Sequence, residues 1–175
     1  IRLKHKEDIS EEEQSKRMRG IELHDKLSQY LTGKLDSFEY STDLIEQVKQ
    51  NPKAQIERQF YFDLDFNELS VKPEQIDFLS IRPDAYWIEN DCLFLVDWKF
   101  ANSDFNAAKY YNETEFFLSL LASVYQPISI ATIMVHFPEQ DYTLPKKSYS
   151  AQAITRLQQR YIMLTDRILN ERIHK

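Results

Sequence analysis

Apolar residues recur at helical spacing in four stretches of this chain and at strand spacing in four others. From Ser10 a helical rhythm sets in, with Met18, Ile21, Leu23, Leu27 and Leu31 as its apolar face. Glu11, Glu12 and Glu13 suit a first helical turn, and Gly33 suits a C-cap. A short helix is predicted over 42–50, stopping before Pro52. Residues 55–66 alternate through Ile56, Phe60, Phe62, Leu64 and Phe66 and predict a strand. A loop with Pro73 follows over 67–77, then strands over 79–88 and 91–99. Residues 106–125, with Phe116, Phe117, Leu120, Leu121 and Val124, are apolar on most sides and predict a buried helix. The β-branched run 128–137 predicts a central strand, and 138–149 a Pro-containing loop. A last helix over 150–170 sets Ile154, Leu157, Tyr161, Leu164 and Ile168 on one stripe. The charged residues 1–16 are expected to begin as a frayed arm.

The order ααβββαβα has no internal repeat and no linker. It predicts one α/β domain over 1–175, with a central mixed sheet flanked by helices. At 175 residues and 42% hydrophobic composition the chain can bury a sizeable core. No apolar run reaches the roughly 18 residues of a membrane span, and no signal peptide is visible. Beginning at Ile1 rather than Met, the chain is expected to be a trimmed form or a piece of a larger protein.

Charge and composition narrow the chemistry. The net charge of −6 counts against a simple nucleic-acid-binding module, which is typically basic. It counts less against a metal-dependent nuclease, whose clustered carboxylates a bound cation offsets. Two glycines, Gly20 and Gly33, exclude a Gly-rich phosphate loop. The single Cys92 excludes an internal disulfide and a four-cysteine metal site, and suggests a reducing, intracellular setting.

The richest stretch runs from Arg82 to Phe100. Two apolar runs flank Asn90-Asp91, a pair compatible with a two-residue type I′ turn. With that turn Glu89 faces Cys92, and Asp84 falls opposite Asp97 on the same face of the hairpin. Directly opposite residues have Cβ atoms about 5 Å apart. Lys99 shares the face, because side chains alternate with period two. Like charges this close repel, and one pKa rises unless a cation lies between them. Mg²⁺ or Mn²⁺ would serve, with Asp84 and Asp97 as hard oxygen ligands. Metal-assisted hydrolysis then follows, with Lys99 positioning a water or countering developing charge. The competing account is an Asp–Lys pair on a solvated sheet face. The apolar run from Leu93 to Phe100 argues against it.

Two upstream residues are candidates for the same group. His24, one turn after Gly20, can offer a nitrogen ligand; alternatively it is a core or helix-end histidine. Glu57, early in the strand at 55–66, can hold a metal-bound water or a second ion; alternatively it is a surface glutamate paired with Arg58. The aromatic residues Tyr86, Trp87, Trp98, Tyr110 and Tyr111 are read as core and hairpin packing before base stacking. Lys146, Lys147, Arg156 and Arg160 are read as a solvated face before a strand path.

In order along the chain, Gly20-Ile21-Glu22-Leu23-His24, Ile56-Glu57-Arg58, Arg82-Pro83-Asp84 and Val96-Asp97-Trp98-Lys99 resemble the PD-(D/E)xK nuclease superfamily, and within it the RecB-like exonucleases, phage versions included. The following helix, from Tyr110 to Leu121, is similar to the family's Tyr-x-x-Gln-x-x-x-Tyr-x-x-Leu-Leu, with Glu113 at the Gln position and Phe117 at the second Tyr. An ionised Glu cannot donate a hydrogen bond as Gln does, and Glu113 is expected to pair with Lys99 or Lys109 instead. The resemblance implies a restriction-endonuclease-like core with the site at a sheet edge. It implies one or two ions, Mg²⁺ or Mn²⁺, held by His24, Asp84, Asp97 and the Trp98 backbone carbonyl. Glu57 would assist, Lys99 would serve catalysis, and Glu113, Tyr110 and Lys109 would support substrate or lysine. It further implies a DNA-processing exonuclease of phage or bacterial cytoplasm, working beside a helicase or recombination protein. The cap-snatching endonucleases of segmented negative-strand viruses share the His, the acidic residue, Pro-Asp and Asp-x-Lys. In that alternative the substrate is RNA and Lys109-Tyr110-Tyr111 brings Lys109 into catalysis. A catalytically silent scaffold of the same fold is the remaining alternative.

Overall fold

The computed structural model describes residues 10–100 and 107–173. Two helices come first, α1 (Glu11–Leu31) and α2 (Asp43–Gln50). Short strands follow: β1 (Gln55–Ile56), β2 (Phe60–Phe62), β3 (Glu68–Leu69) and β4 (Leu79–Ile81). The long hairpin is β5 (Ala85–Glu89) and β6 (Cys92–Trp98). Helix α3 (Ala107–Val124) leads to β7 (Ile130–Phe137), a 3-10 turn (Pro138–Gln140), β8 (Tyr142–Thr143), β9 (Lys147–Ser150) and α4 (Ala151–Ile173).

Local chemistry sets the helix ends. Ser10 Oγ accepts from the Glu13 N–H at 3.2 Å, so α1 starts as its sequence suggests and takes in residues 11–16. Residues 1–9 lie outside the described region. At the other end Gly33 adopts φ +77°, and Lys34 N donates to Gln29 O at 2.8 Å, closing a Schellman turn. Ser150 Oγ likewise caps α4 by accepting from Ala153 N.

The main sheet runs β1-β5-β6-β7-β8, with β9 also on β7. It is mixed: β5 and β6 pair antiparallel, whereas β6 and β7 pair parallel through the α3 crossover. The 55–66 alternation does not make one strand. Glu57, at φ +49°, ends β1, and β2 joins a separate three-stranded sheet, β3-β2-β4. The 79–88 stretch divides in the same way at Arg82-Pro83-Asp84, between β4 and β5. Pro83 lacks an N–H and cannot continue a ladder. The expected loops at 67–77 and 138–149 contain β3 and the edge strands β8 and β9.

Strand alternation sorts the core into two layers. Ala85, Val96, Trp98 and Met134 face α1 and α2 through Leu23, Leu27, Ile45 and Val48. Tyr86, Leu93, Leu95, Ala131 and Ile133 face the small sheet, α3 and α4. Tyr86 and Trp98 thus pack in the core, as expected of them. The buried stripe of α4 is Ile154, Leu157, Tyr161 and Thr165, whereas Leu164 is exposed. Met18 and Ile21 on α1 are also exposed, so only the C-terminal half of that helix packs inward. No described helix is long and apolar enough to cross a membrane.

Candidate active site

The hairpin turn has the expected geometry. Asn90 and Asp91 both take positive φ, +49° and +58°, as a type I′ turn requires. Pairing runs from Glu89↔Cys92 to Ala85↔Val96. Asp84, the next residue out, continues that register to Asp97. Its Oδ2 accepts from the Trp98 N–H at 2.7 Å. The N–H and C=O of one strand residue leave on the same edge. The Trp98 carbonyl therefore points to the edge where Asp84 stands and where β5 has not begun.

Both carboxyls are largely buried, at 17% and 16% side-chain exposure for Asp84 and Asp97. Burial pushes Asp97 up to about 7; the neighbouring Asp84 adds to the rise and Lys99 opposes it. Burial pushes Asp84 up to about 6, against the pull of the Trp98 N–H and Lys99. Lys99 Nζ lies 2.9 Å from Asp97 Oδ2 and donates to Glu113 Oε2 at 3.2 Å. Burial lowers the Lys99 pKa, but the two carboxylates outweigh it and hold the ammonium above its ordinary value. The contact with Asp97 is close enough for an ion pair but lacks hydrogen-bond alignment, so buried Asp97 Oδ2 has no hydrogen-bond donor among the described residues. We treat the pair as a charge contact, because proximity alone sets its Coulomb attraction.

Helix α1 brings two residues to the strand ends. His24 Nδ1 is 3.9 Å from Asp84 Oδ1, and its ring meets the Phe100 ring edge-on. Burial lowers the His24 pKa, opposed by the charge of Asp97. One turn later, Ser28 Oγ donates to Glu57 Oε2 at 3.0 Å. Glu57 is therefore held by Ser28 rather than by Arg58, which reaches Tyr125 Oη instead. The Glu57 N–H donates to Asp84 O at 3.1 Å, tying the left-handed residue to the site. That backbone conformation costs a non-glycine residue about 1–2 kcal/mol.

Helix α3 supplies Glu113 and Tyr110, whose ring centroid lies 5.1 Å from Lys99 Nζ. Of the two partners expected for Glu113, Lys99 is one it takes. Lys109 is exposed on the first turn of α3. Ser28 and His136 join the site without any sequence motif to mark them. Ser28 is four residues after His24 and so on the same helix face, a spacing that can be read directly. Buried His136 is fixed by Thr42 and Thr143, and its carbonyl accepts from the Lys99 N–H at 2.8 Å.

In kind, these donors suit a hard divalent ion: carboxylates, a carbonyl and one imidazole. The unpartnered Asp97 oxygen adds a buried acceptor aimed at the cluster. Their arrangement differs from the expected ligand set. Among the described residues no three His, Cys, Asp or Glu side chains are gathered as a ready metal cage. The physical reason is visible in the contacts: Lys99 lies against Asp97, Trp98 N–H holds Asp84 Oδ2, and Ser28 holds Glu57.

No family model matches the chain. No curated protein matches it either. A solved structure described as "Crystal structure of SSO0001" aligns at 14% identity and a TM-score of 0.37, over 85% of this chain and 60% of that one. The chain thus spans 60% of that structure's length, and likeness at this level carries no argument about fold or function.

Proposed function

We propose that this chain is a metal-dependent nuclease of the PD-(D/E)xK kind, with a restriction-endonuclease-like core, acting on DNA. The observation that carries the reading is the buried Asp84–Asp97 pair with Lys99 against it. Two carboxyls held this close and this dry are costly without a function that uses them. His24, Asp84, Asp97 and the Trp98 carbonyl are the groups that would hold Mg²⁺ or Mn²⁺, with Glu57 reaching it through water. When bound, such an ion lowers the pKa of a water and offsets charge on a phosphate. Lys99 has three N–H donors. With Glu113 taking one of them in an aligned hydrogen bond, donors are left for the attacking water or a phosphate oxygen. Tyr110 limits the swing of the ammonium by lying beside it.

The resemblance in the sequence makes exonuclease action beside a helicase or recombination protein, in phage or bacterial cytoplasm, the expected setting. The test is incubation with single-stranded DNA, duplex DNA and RNA in Mg²⁺ or Mn²⁺. DNA shortening is expected, stopped by a chelator and reduced on the order of a hundredfold or more by Lys99→Ala. Preferential cutting of RNA would instead favour the cap-snatching relation. Absence of cleavage in all three, or cleavage indifferent to chelation and to Lys99→Ala, would remove the enzyme reading.

A further inference from the structure

Lys99 stands between carboxylates from two different elements. Asp97 on β6 lies 2.9 Å away and Glu113 on α3 lies 3.2 Å away. The two contacts are not equivalent. The one to Glu113 is an aligned hydrogen bond, whereas the one to Asp97 is shorter but poorly aligned. Glu113 is also the more exposed, at 43% against 16% for Asp97. A divalent ion held by Asp97 Oδ2 would take the oxygen that Lys99 now faces. An ammonium left on that oxygen would repel the ion at close range. A neutral side chain at 113 can accept a hydrogen bond but cannot balance the displaced charge.

We propose that Glu113 is a positioning residue that draws the Lys99 ammonium off Asp97, so that Asp97 Oδ2 becomes free to hold a divalent cation. In this scheme Lys99 is shared between Asp97 and Glu113 in the metal-free protein and keeps only the Glu113 partner as the cation arrives. The inference rests on the reading of Asp84 and Asp97 as metal ligands. Its distinct content is that Glu113 acts through Lys99 and not on the ion.

A double-mutant cycle in Mn²⁺ affinity tests this, read by titration calorimetry on wild type, Glu113→Gln, Lys99→Met and the double variant. Glu113→Gln is expected to weaken Mn²⁺ binding about five- to tenfold, the scale of one partly exposed ion pair. With Lys99 already replaced by Met, the same change is expected to alter affinity less than about twofold. Metal-free melting curves check that each variant folds, and Lys99→Gln replaces Lys99→Met in the cycle if the latter does not. Unchanged affinity in Glu113→Gln would overturn the proposal. So would an equal loss in both backgrounds, because Glu113 would then be acting on the ion directly. Wild-type protein that binds no Mn²⁺ in a manner Asp84→Ala removes would bring down the metal reading itself, and this inference with it.

Discussion

Asp97→Asn is expected to raise the melting temperature of the metal-free protein at pH 8 while ending strand cleavage. Asn keeps the shape of the side chain and removes its charge. At pH 8 the native Asp97 is ionised although burial and Asp84 push it up to about 7. Relieving that burden should add about 2 kcal/mol. For a chain of 175 residues this is roughly 4–8 °C. Removing one member of a buried ion pair usually destabilises, because the other is stranded. Here Lys99 is not stranded, since Glu113 still accepts from it. Cleavage should fall on the order of a thousandfold or more, because a lost ligand forfeits several kcal/mol of charge stabilisation. A variant that melts lower than wild type in chelator would show that Asp97 is a structural carboxylate. A variant that still cuts would show that the reaction does not run through it.

The second large effect is in pH. Without metal, stability is expected to fall as pH rises from about 4 to about 7, and then to level off. Asp84 and Asp97 keep their protons in the folded protein up to about 6 and about 7. The unfolded chain loses them near 4. Across that interval the folded state binds more protons, so each rise in pH favours unfolding. His24 and His136 push the other way, because burial lowers both and the unfolded chain then binds the extra proton. Lys99 remains charged throughout, its pKa being raised. The carboxyl effect is the larger, and a net loss on the order of 2–4 kcal/mol is expected. On the proposed reading saturating Mn²⁺ should reverse the slope, since an ion held by the deprotonated pair would stabilise only the folded state. Melting temperatures at pH 5 and pH 8, with chelator and with Mn²⁺, measure both arms. A metal-free protein more stable at pH 8 than at pH 5 would show that the pair carries no such burden.

What could be read in the sequence follows from how local each determinant is. The Asn90-Asp91 turn pins the register of β5 and β6, so the placing of Asp84 against Asp97 needed no knowledge of the rest of the fold. The four helices were legible for the same reason: 3.6-residue spacing lies within each segment, and α1 and α2 add their own caps. Of the small sheet, β2 and β4 fall within predicted strands, but β3, two residues in an expected loop, exists only through its partner. The break at Glu57 was hidden as well. Its alternating neighbours Ile56, Phe60 and Phe62 continue an apolar pattern across a backbone that turns between sheets. On α4 the packed stripe passes through Thr165 rather than Leu164. The angular step of a straight helix put the polar residue inward, where its hydroxyl bonds Tyr161 O. In the site, the Glu113–Lys99 pairing was legible from the motif, whereas the hold of Ser28 on Glu57 across elements was not.

The left-handed joint at Glu57 has a consequence for how this chain can change over generations. A glycine there would relax the backbone and delete a carboxylate in the same step. Durability and the proposed chemistry are thus opposed at one codon. Drift that rewarded only resistance to heat would erode Glu57 early, and its persistence in a lineage would register that the carboxylate is still in use.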